Sequence, residues 1–425
     1  MDDIKTLRKK KVTKPTASSD LPSKNLAINP VESKKEFIIN DTTSSDSDTI
    51  NLNTIDLDTP GEEKLPKKNK YNLSISPKHR SKKKIIIITC VVVLVLALLS
   101  SVSIYWFFIK KDSTPINHEP VQTKKSEVAK KPISLLTGLE LASAELANRP
   151  VTGVMIENSP DARPQSGLTD AGIVYEAIAE GGVTRFLAIY QESQPQYIGP
   201  IRSARPYYLD FILPFNGSFA HVGGSPDALS DIKSLGVKDL DQFFNGDFFQ
   251  RITSRYAPHN VYTSFAKLDE LNKLKNNVFT KFTPFERKKD VKQTPTASII
   301  DISISGPLYS PRFEYDPVTN SYKRFQAGTP HIDEQSKVQI SPKVVVVLVM
   351  DQTTMPDGYH TAYKDTGSGK MYVFQDGIVS EGTWEKSDRK SQFIFKDSNG
   401  LPMKLNAGQT WVSIVGSSSD ISYKP

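Results

Sequence analysis

Apolar and polar positions alternate in character along the chain, and the changes mark its segments. Residues 1–84 show no sustained apolar period: Lys, Ser, Asp, Asn, Thr and Pro dominate, and Phe37 and Tyr71 are the only aromatics there. Such a stretch buries too little apolar surface to offset chain entropy, so a disordered tail is expected. From Ile85 to Ile109, 25 residues pass without a charge. A helix of that length spans about 37 Å at about 1.5 Å per residue, enough to cross a bilayer with some tilt. Tyr105 and Trp106 fall near its far end, where interfacial aromatics belong. Residues 110–132, with Pro115, Pro120 and Pro132, read as a polar stalk.

Beyond the stalk, residues 133–285 read as mixed α and β. Pro206 opens a helix pattern, YYLDFIL. Ser225 and Pro226 open a second, DALSDIKSLG, stopped by Gly236. Thr169 or Asp170 is expected to cap a helix running through Glu180, with Gly181 and Gly182 ending it. Arg185 then enters a strand, FLAIYQ. Residues 286–297 look like a charged linker. Residues 298–425 read mostly as strands, including SIIDISI, KVVVVLVM and TWVSIV, separated by turn signals at Asp376-Gly377 and Ser398-Asn-Gly400. The expected fold class is therefore α+β: a mixed α/β first ectodomain and a β-rich second domain.

Charge adds an orientation. The net charge is +7, and residues 1–109 carry most of it. Lys78, Arg80, Lys82, Lys83 and Lys84 press against the N-terminal end of the apolar run, whereas only Lys110 and Lys111 flank the other end directly. This asymmetry predicts a single-pass signal-anchor with a cytoplasmic N-terminus and extracytoplasmic C-terminal domains. The remainder is electrically balanced, which argues against nucleic-acid binding. Cys90 is the only cysteine, so no intrachain disulfide and no Cys-rich zinc module is possible.

The chain has 41 Lys and 13 Arg, yet between Ile133 and Ala266 there are seven Arg and two Lys. Arg carries a planar fork suited to carboxylates and phosphates. Two readings follow: an anion site, or an internal Arg–Glu network using Glu157, Glu176, Glu180 and Asp227. For the site, Arg163, Gln165, Arg185, Arg202, Ser203, Arg205, His221, Ser225, Arg255 and Asn260 are the ligand-binding candidates. His259 and Glu176 are the candidates for moving a proton. No metal set is indicated and no cofactor is implied. GxSxG, P-loop and GxGxxG strings are absent.

In order along the chain come Val154-Met-Ile-Glu-Asn158, Ala162-Arg-Pro-Gln-Ser-Gly-Leu168, Glu180-Gly-Gly-Val-Thr-Arg185, Gly199-Pro-Ile-Arg-Ser-Ala-Arg-Pro206, Gly223-Gly-Ser225, Ala257-Pro-His-Asn260, Glu381-Gly-Thr-Trp384 and Leu405-Asn-Ala-Gly-Gln-Thr-Trp411. Together they resemble the YerB-like lipoprotein family of the bacterial envelope, a family of unknown function with N- and C-terminal domains. That resemblance implies an envelope location; lipidated cysteines tether such proteins, and here the apolar run would take that role. Ala220-His-Val-Gly-Gly224 and its surroundings are more loosely similar, at the level of fold, to LytR-CpsA-Psr phosphotransferases, whose Pro-Arg-Asp string is replaced here by Gly-Pro-Ile-Arg. The expected function is binding of an anionic, phosphate-bearing cell-wall or glycan-related ligand. The alternatives are a phosphotransferase or hydrolase acting on a lipid-linked wall precursor, and a non-catalytic interaction module. Whether the protein is an enzyme stays open at this point. The expected partners are the membrane and such an anionic ligand.

Overall fold

The computed structural model describes residues 94–101, residue 105 and residues 131–425. It divides into two units, Met1–Glu119 and Pro120–Pro425. In the first, residues 94–101 are helical with exposed side chains. The expected tail, most of the apolar run and most of the stalk lie outside the described residues. Among the described residues no helix is long and apolar enough to cross a membrane.

The second unit is mixed α/β and rich in strands, with few helices. Its longer strands are β1 (Thr152–Glu157), β2 (Ile173–Glu180), β3 (Val183–Tyr190), β4 (Ser218–His221) and β5 (Lys238–Asp241), followed by β6 (Ile299–Ile302), β7 (Pro311–Asp316), β8 (Ser321–Gln326) and β9 (Val344–Val349). Then come β10 (Gly367–Gln375), β11 (Ile378–Lys386), β12 (Ile394–Asp397), β13 (Thr410–Val415) and β14 (Ile421–Lys424). Ten of them form one sheet in the order β12-β11-β10-β9-β13-β2-β3-β1-β4-β5. A smaller sheet joins β8, β7, β6 and β14 with the two-residue strand Thr329–Pro330 at its edge.

Helices α1 (Pro206–Ile212) and α2 (Pro226–Leu235) pack on one face of the large sheet, where Tyr208, Phe211 and Ile232 meet Tyr175, Leu187 and Val346 in one core. Helix α3 (Phe265–Leu274) and the smaller sheet cover the other face, where Leu268, Ile300 and Phe313 meet Val174, Phe186 and Trp411. With both faces covered, central strands become continuous apolar runs. All six residues of β1 and all six of β13 are buried.

The helix expected from Thr169 to Glu180 is a strand instead. Thr169 and Asp170 sit in a single 3-10 turn, and β2 begins at Ile173. Its residues are buried on both sides, and Ile173, Val174 and Ile178 are β-branched, which favours a pleated ribbon. A bulge interrupts the pairing of β2 with β3 between Ile178 and Glu180. It turns Glu180 to the face opposite Glu176, so the two carboxylates do not share one.

The sequence also divides the chain at residues 286–297, but the strands do not divide there. β13, from the C-terminal half, pairs in parallel with β2 on one side and with β9 on the other. The segment expected as a charged linker is docked: Arg287 donates to the carbonyl oxygens of Leu136 and Asn406 at 2.5 and 3.0 Å. Burial lowers the pKa of its guanidinium to about 10.

Candidate functional site

Two backbone segments build the site, and both stop being regular for a reason. Gly199-Pro200 leads into Arg202–Arg205, which runs extended until Pro206 starts α1. Beside it, β4 ends at His221 and the chain turns through Gly223 before Ser225 caps α2. The Ser225 hydroxyl accepts from the Ala228 N–H at 3.4 Å, and Gly236 at φ +69 ends the helix, as the sequence predicts. The segments hold each other: Ala204 N–H donates to the Gly223 carbonyl and Val222 N–H to that of Arg202. Gly223 has φ +57, and a Cβ there would stand 2.8 Å from the Phe243 ring. Only glycine fits without strain.

His221 lies beneath this turn with no exposure. Its Nδ1 faces the Gly223 carbonyl oxygen at 2.7 Å and its Nε2 faces Asp239 at 2.8 Å. Asp241 accepts from the Gly223 N–H at 2.9 Å. These groups shape the glycine turn, and His221 does not line the pocket above it.

Above the turn is a pocket of ≈ 300 Å³ lined by Arg202, Ser203, Gly223, Gly224, Phe243 and Arg251, with Val222, Pro258 and Val261. Arg202 lies 3.2 Å from Glu157 and keeps about a quarter of its side chain exposed. Glu157 is buried. Its Oε1 accepts from the Ser159 hydroxyl at 2.9 Å, and its Oε2 meets His259 Nδ1 at 2.9 Å. Arg251 donates to Asn260 Oδ1 at 2.9 Å, so Asn260 orients this second arginine. Arg251 lies outside the set singled out from the sequence as binding a ligand. Its only signal was the local preference for Arg over Lys.

The other expected residues go elsewhere. Arg185 and Arg205 both pair with Glu180, Arg205 at 2.6 Å. Burial, and the Arg185 charge beside it, lower the pKa of Arg205. Arg163 donates to the Asn158 and Leu308 carbonyls at 2.8 and 2.7 Å. Arg255 donates to the Asp161 and Pro164 carbonyls at 3.1 and 2.7 Å. Both fix loops.

Glu176 does not reach the pocket at all, because it is fully buried on the other face of the sheet. Arg324, also fully buried, donates to both its oxygens at 3.0 and 2.9 Å, and Trp411 Nε1 donates at 3.0 Å. Arg324 in turn bonds His331, whose other nitrogen meets Gln165 Oε1 at 2.8 Å. Burial and the Arg324 charge hold the His331 pKa well below the usual histidine value, so the ring is neutral. Gln165 continues to the Glu157 carbonyl oxygen at 2.9 Å. A buried polar chain thus ties β8 to the back of the pocket.

A larger cleft, ≈ 740 Å³, lies on the α1 and α2 side of the paired segments. Arg205, Asp210, Asp227, Asp231, Asp365 and Arg389 line it, with Tyr207 and Tyr363. Ser225 borders this cleft, and its hydroxyl is occupied as the helix cap. Among the described residues, no cluster of three His, Cys, Asp or Glu side chains is placed to hold a metal ion.

The fold and pockets describe an α/β protein with a small arginine-lined site and no recognised catalytic string. Comparison with known proteins gives its family. Residues 136–280 match the N-terminal domain of a protein family of unknown function, DUF3048, and residues 300–412 match its C-terminal domain. The chain belongs to this family. It is 31% identical over 299 residues to the Bacillus subtilis (strain 168) protein described as "Putative lipoprotein YerB", covering 68% of this chain and 88% of that protein. The crystal structure of YerB from Bacillus subtilis superposes with a TM-score of 0.62 at 28% identity, covering 69% of this chain and all of that one.

Proposed function

We propose that this is a membrane-anchored envelope protein whose extracytoplasmic unit binds the phosphate of an envelope ligand in the pocket of Arg202 and Arg251. The observation that carries the reading is the lining itself. Two arginine side chains and the Ser203 position face one space of ≈ 300 Å³ beside a glycine turn. Arginine forks are suited to phosphate oxygens, and the absence of a Cβ at Gly223 and Gly224 permits close backbone approach. Phe243, 67% exposed, forms an apolar wall of the same pocket, which suits a phosphate carried on a lipid.

The anchor rests on the uncharged run from Ile85 to Ile109 and the lysines before it. The description of the Bacillus relative as a lipoprotein agrees with an envelope location. In this reading residues 1–84 are cytoplasmic and the stalk of residues 110–132 sets the binding unit off from the bilayer.

Calorimetry of the full chain in neutral detergent with a polyprenyl phosphate tests the binding. Saturable binding that weakens steeply with salt, and is lost in Arg202→Ala/Arg251→Ala, is the expected result. Equal binding by the folded double variant overturns it. Release of inorganic phosphate or transfer to an acceptor would move the protein to the enzyme reading, with His259, held by Glu157, as the first residue to replace.

A further inference from the structure

The larger cleft contains a charge imbalance that nothing in the phosphate reading uses. Asp210 on α1 and Asp231 on α2 both accept from Arg389, at 2.6 and 2.8 Å. Lys386, almost fully buried, donates to the backbone carbonyls of Arg389 and Ser391, at 3.0 and 2.5 Å, and so takes no carboxylate directly. Asp365 completes the group. It is 6% exposed, and its Oδ2 is buried with no hydrogen-bond partner. Three carboxyls therefore face two cations, one positive charge short.

None of the neighbouring charges pairs with Asp365: Arg205 and Arg185 share Glu180, and His360 pairs with Asp357 at 2.6 Å. Asp227 adds negative charge at the start of α2. Tyr207 and Tyr363, with ring centroids 4.8 Å apart, form an aromatic wall. Carboxylates against aromatic rings suit an organic cation. A metal ion is less suited, since no three candidate ligands converge among the described residues.

We propose that this cleft is a second binding site, for a primary ammonium group, which docks against Asp365 and Asp210. The exchange balances: the ammonium enters with its charge, and one proton leaves the carboxyl pair to solvent. Burial and the Asp365 charge push the Asp210 pKa up to about 8, against the opposing pull of Arg389. Asp365 is raised by burial as well, with Lys386 and Arg389 opposing. Both shifts favour a proton on the empty pair, which an entering cation would displace. The charge is opposite to that of the phosphate pocket, and the two sites stand independently.

The test is calorimetry on the full chain in neutral detergent, with Nα-acetyl-lysine amide and glucosamine as probes and their N-acetylated forms as controls. Titrations in two buffers of different ionisation enthalpy count the protons released. The expected result is binding of an amine with about one proton released near pH 6.5. Affinity should rise about tenfold per pH unit below the pair's pKa and level off above it. Binding by one probe alone identifies the source as a lysine-type chain or an amino sugar. Asp365→Asn should abolish binding. Asp210→Asn imitates the protonated partner permanently, so it should bind amine at least tenfold more weakly and without the pH dependence; undiminished binding by this folded variant overturns the proposal even if Asp365→Asn does not fold. Absence of amine binding, equal binding of the acetylated controls, or binding without proton exchange in the unaltered protein each overturns the proposal.

Discussion

Two arginine–glutamate pairs lie at opposite ends of one hydrogen-bonded chain, and they differ in every respect that matters for function. Glu176 and Arg324 are wholly buried, bonded through two oxygens and stacked with Trp411, whose ring lies 4.5 Å from the guanidinium carbon. Glu157 and Arg202 meet through one contact of 3.2 Å, and Arg202 stays partly open to a pocket. In the first pair all charge is matched inside the protein. In the second, one carboxylate is shared between Arg202, Ser159 and His259, and the guanidinium keeps donors to offer. An arginine becomes a candidate for ligand binding when its internal partner is incomplete, so arginine content alone does not identify a site.

The sharpest way to break this contrast is at the buried end. Arg324→Met leaves Glu176 uncompensated in the core and should cost about 3–5 kcal/mol, read by urea denaturation. A loss below about 1 kcal/mol would mean that the two pairs are energetically alike.

The Asp210–Asp365 group gives the next effect, because there an unmatched charge is buried. A carboxyl whose pKa is raised on folding contributes stability that is present at low pH and lost as pH climbs. The unaltered protein should therefore lose stability from the ordinary carboxylate range, near pH 4, up to about pH 8. Asp210→Asn should flatten that slope in thermal melts recorded across the same range. An unchanged slope would place the titrating group elsewhere.

At the open end the expected losses are smaller and fall on binding. Gly223→Ala forces a left-handed backbone position and a contact with Phe243, costing about 1–2 kcal/mol by denaturation. Arg202→Ala should change stability by no more than about 1 kcal/mol, since partly exposed pairs contribute little. In the same protein, affinity for a polyprenyl phosphate should fall at least tenfold. A stability loss as large as that of Arg324→Met would make Arg202 structural and end the contrast.

Local signals were legible in the sequence, and distant ones were not. Pro206, Ser225, Pro226 and Gly236 marked both helices because capping acts within a turn or two. The strands after residue 298 were legible from their alternation and turns. β2 was misread because Glu176 and Glu180 four residues apart fit a helix face as well as a strand, and only burial by two layers separates the two. The partners of the site residues were invisible for a simpler reason. Arg324 finds Glu176 148 residues away, and Arg389 finds Asp210 at a separation of 179. Spacing rules do not reach that far, so the matched and unmatched arginines looked the same.

The position of β13 has a consequence for how the protein is made. Thr410–Val415 lies between β9 and β2 in the middle of the large sheet. A chain delivered N-terminus first, by a ribosome or through a translocon, presents this strand only after some four hundred residues have emerged. Until then β2 and β9 have open edges where β13 will lie. This strand acts as a keystone, and a truncation just before Thr410 should yield a nascent chain that chaperones and proteases treat as unfinished.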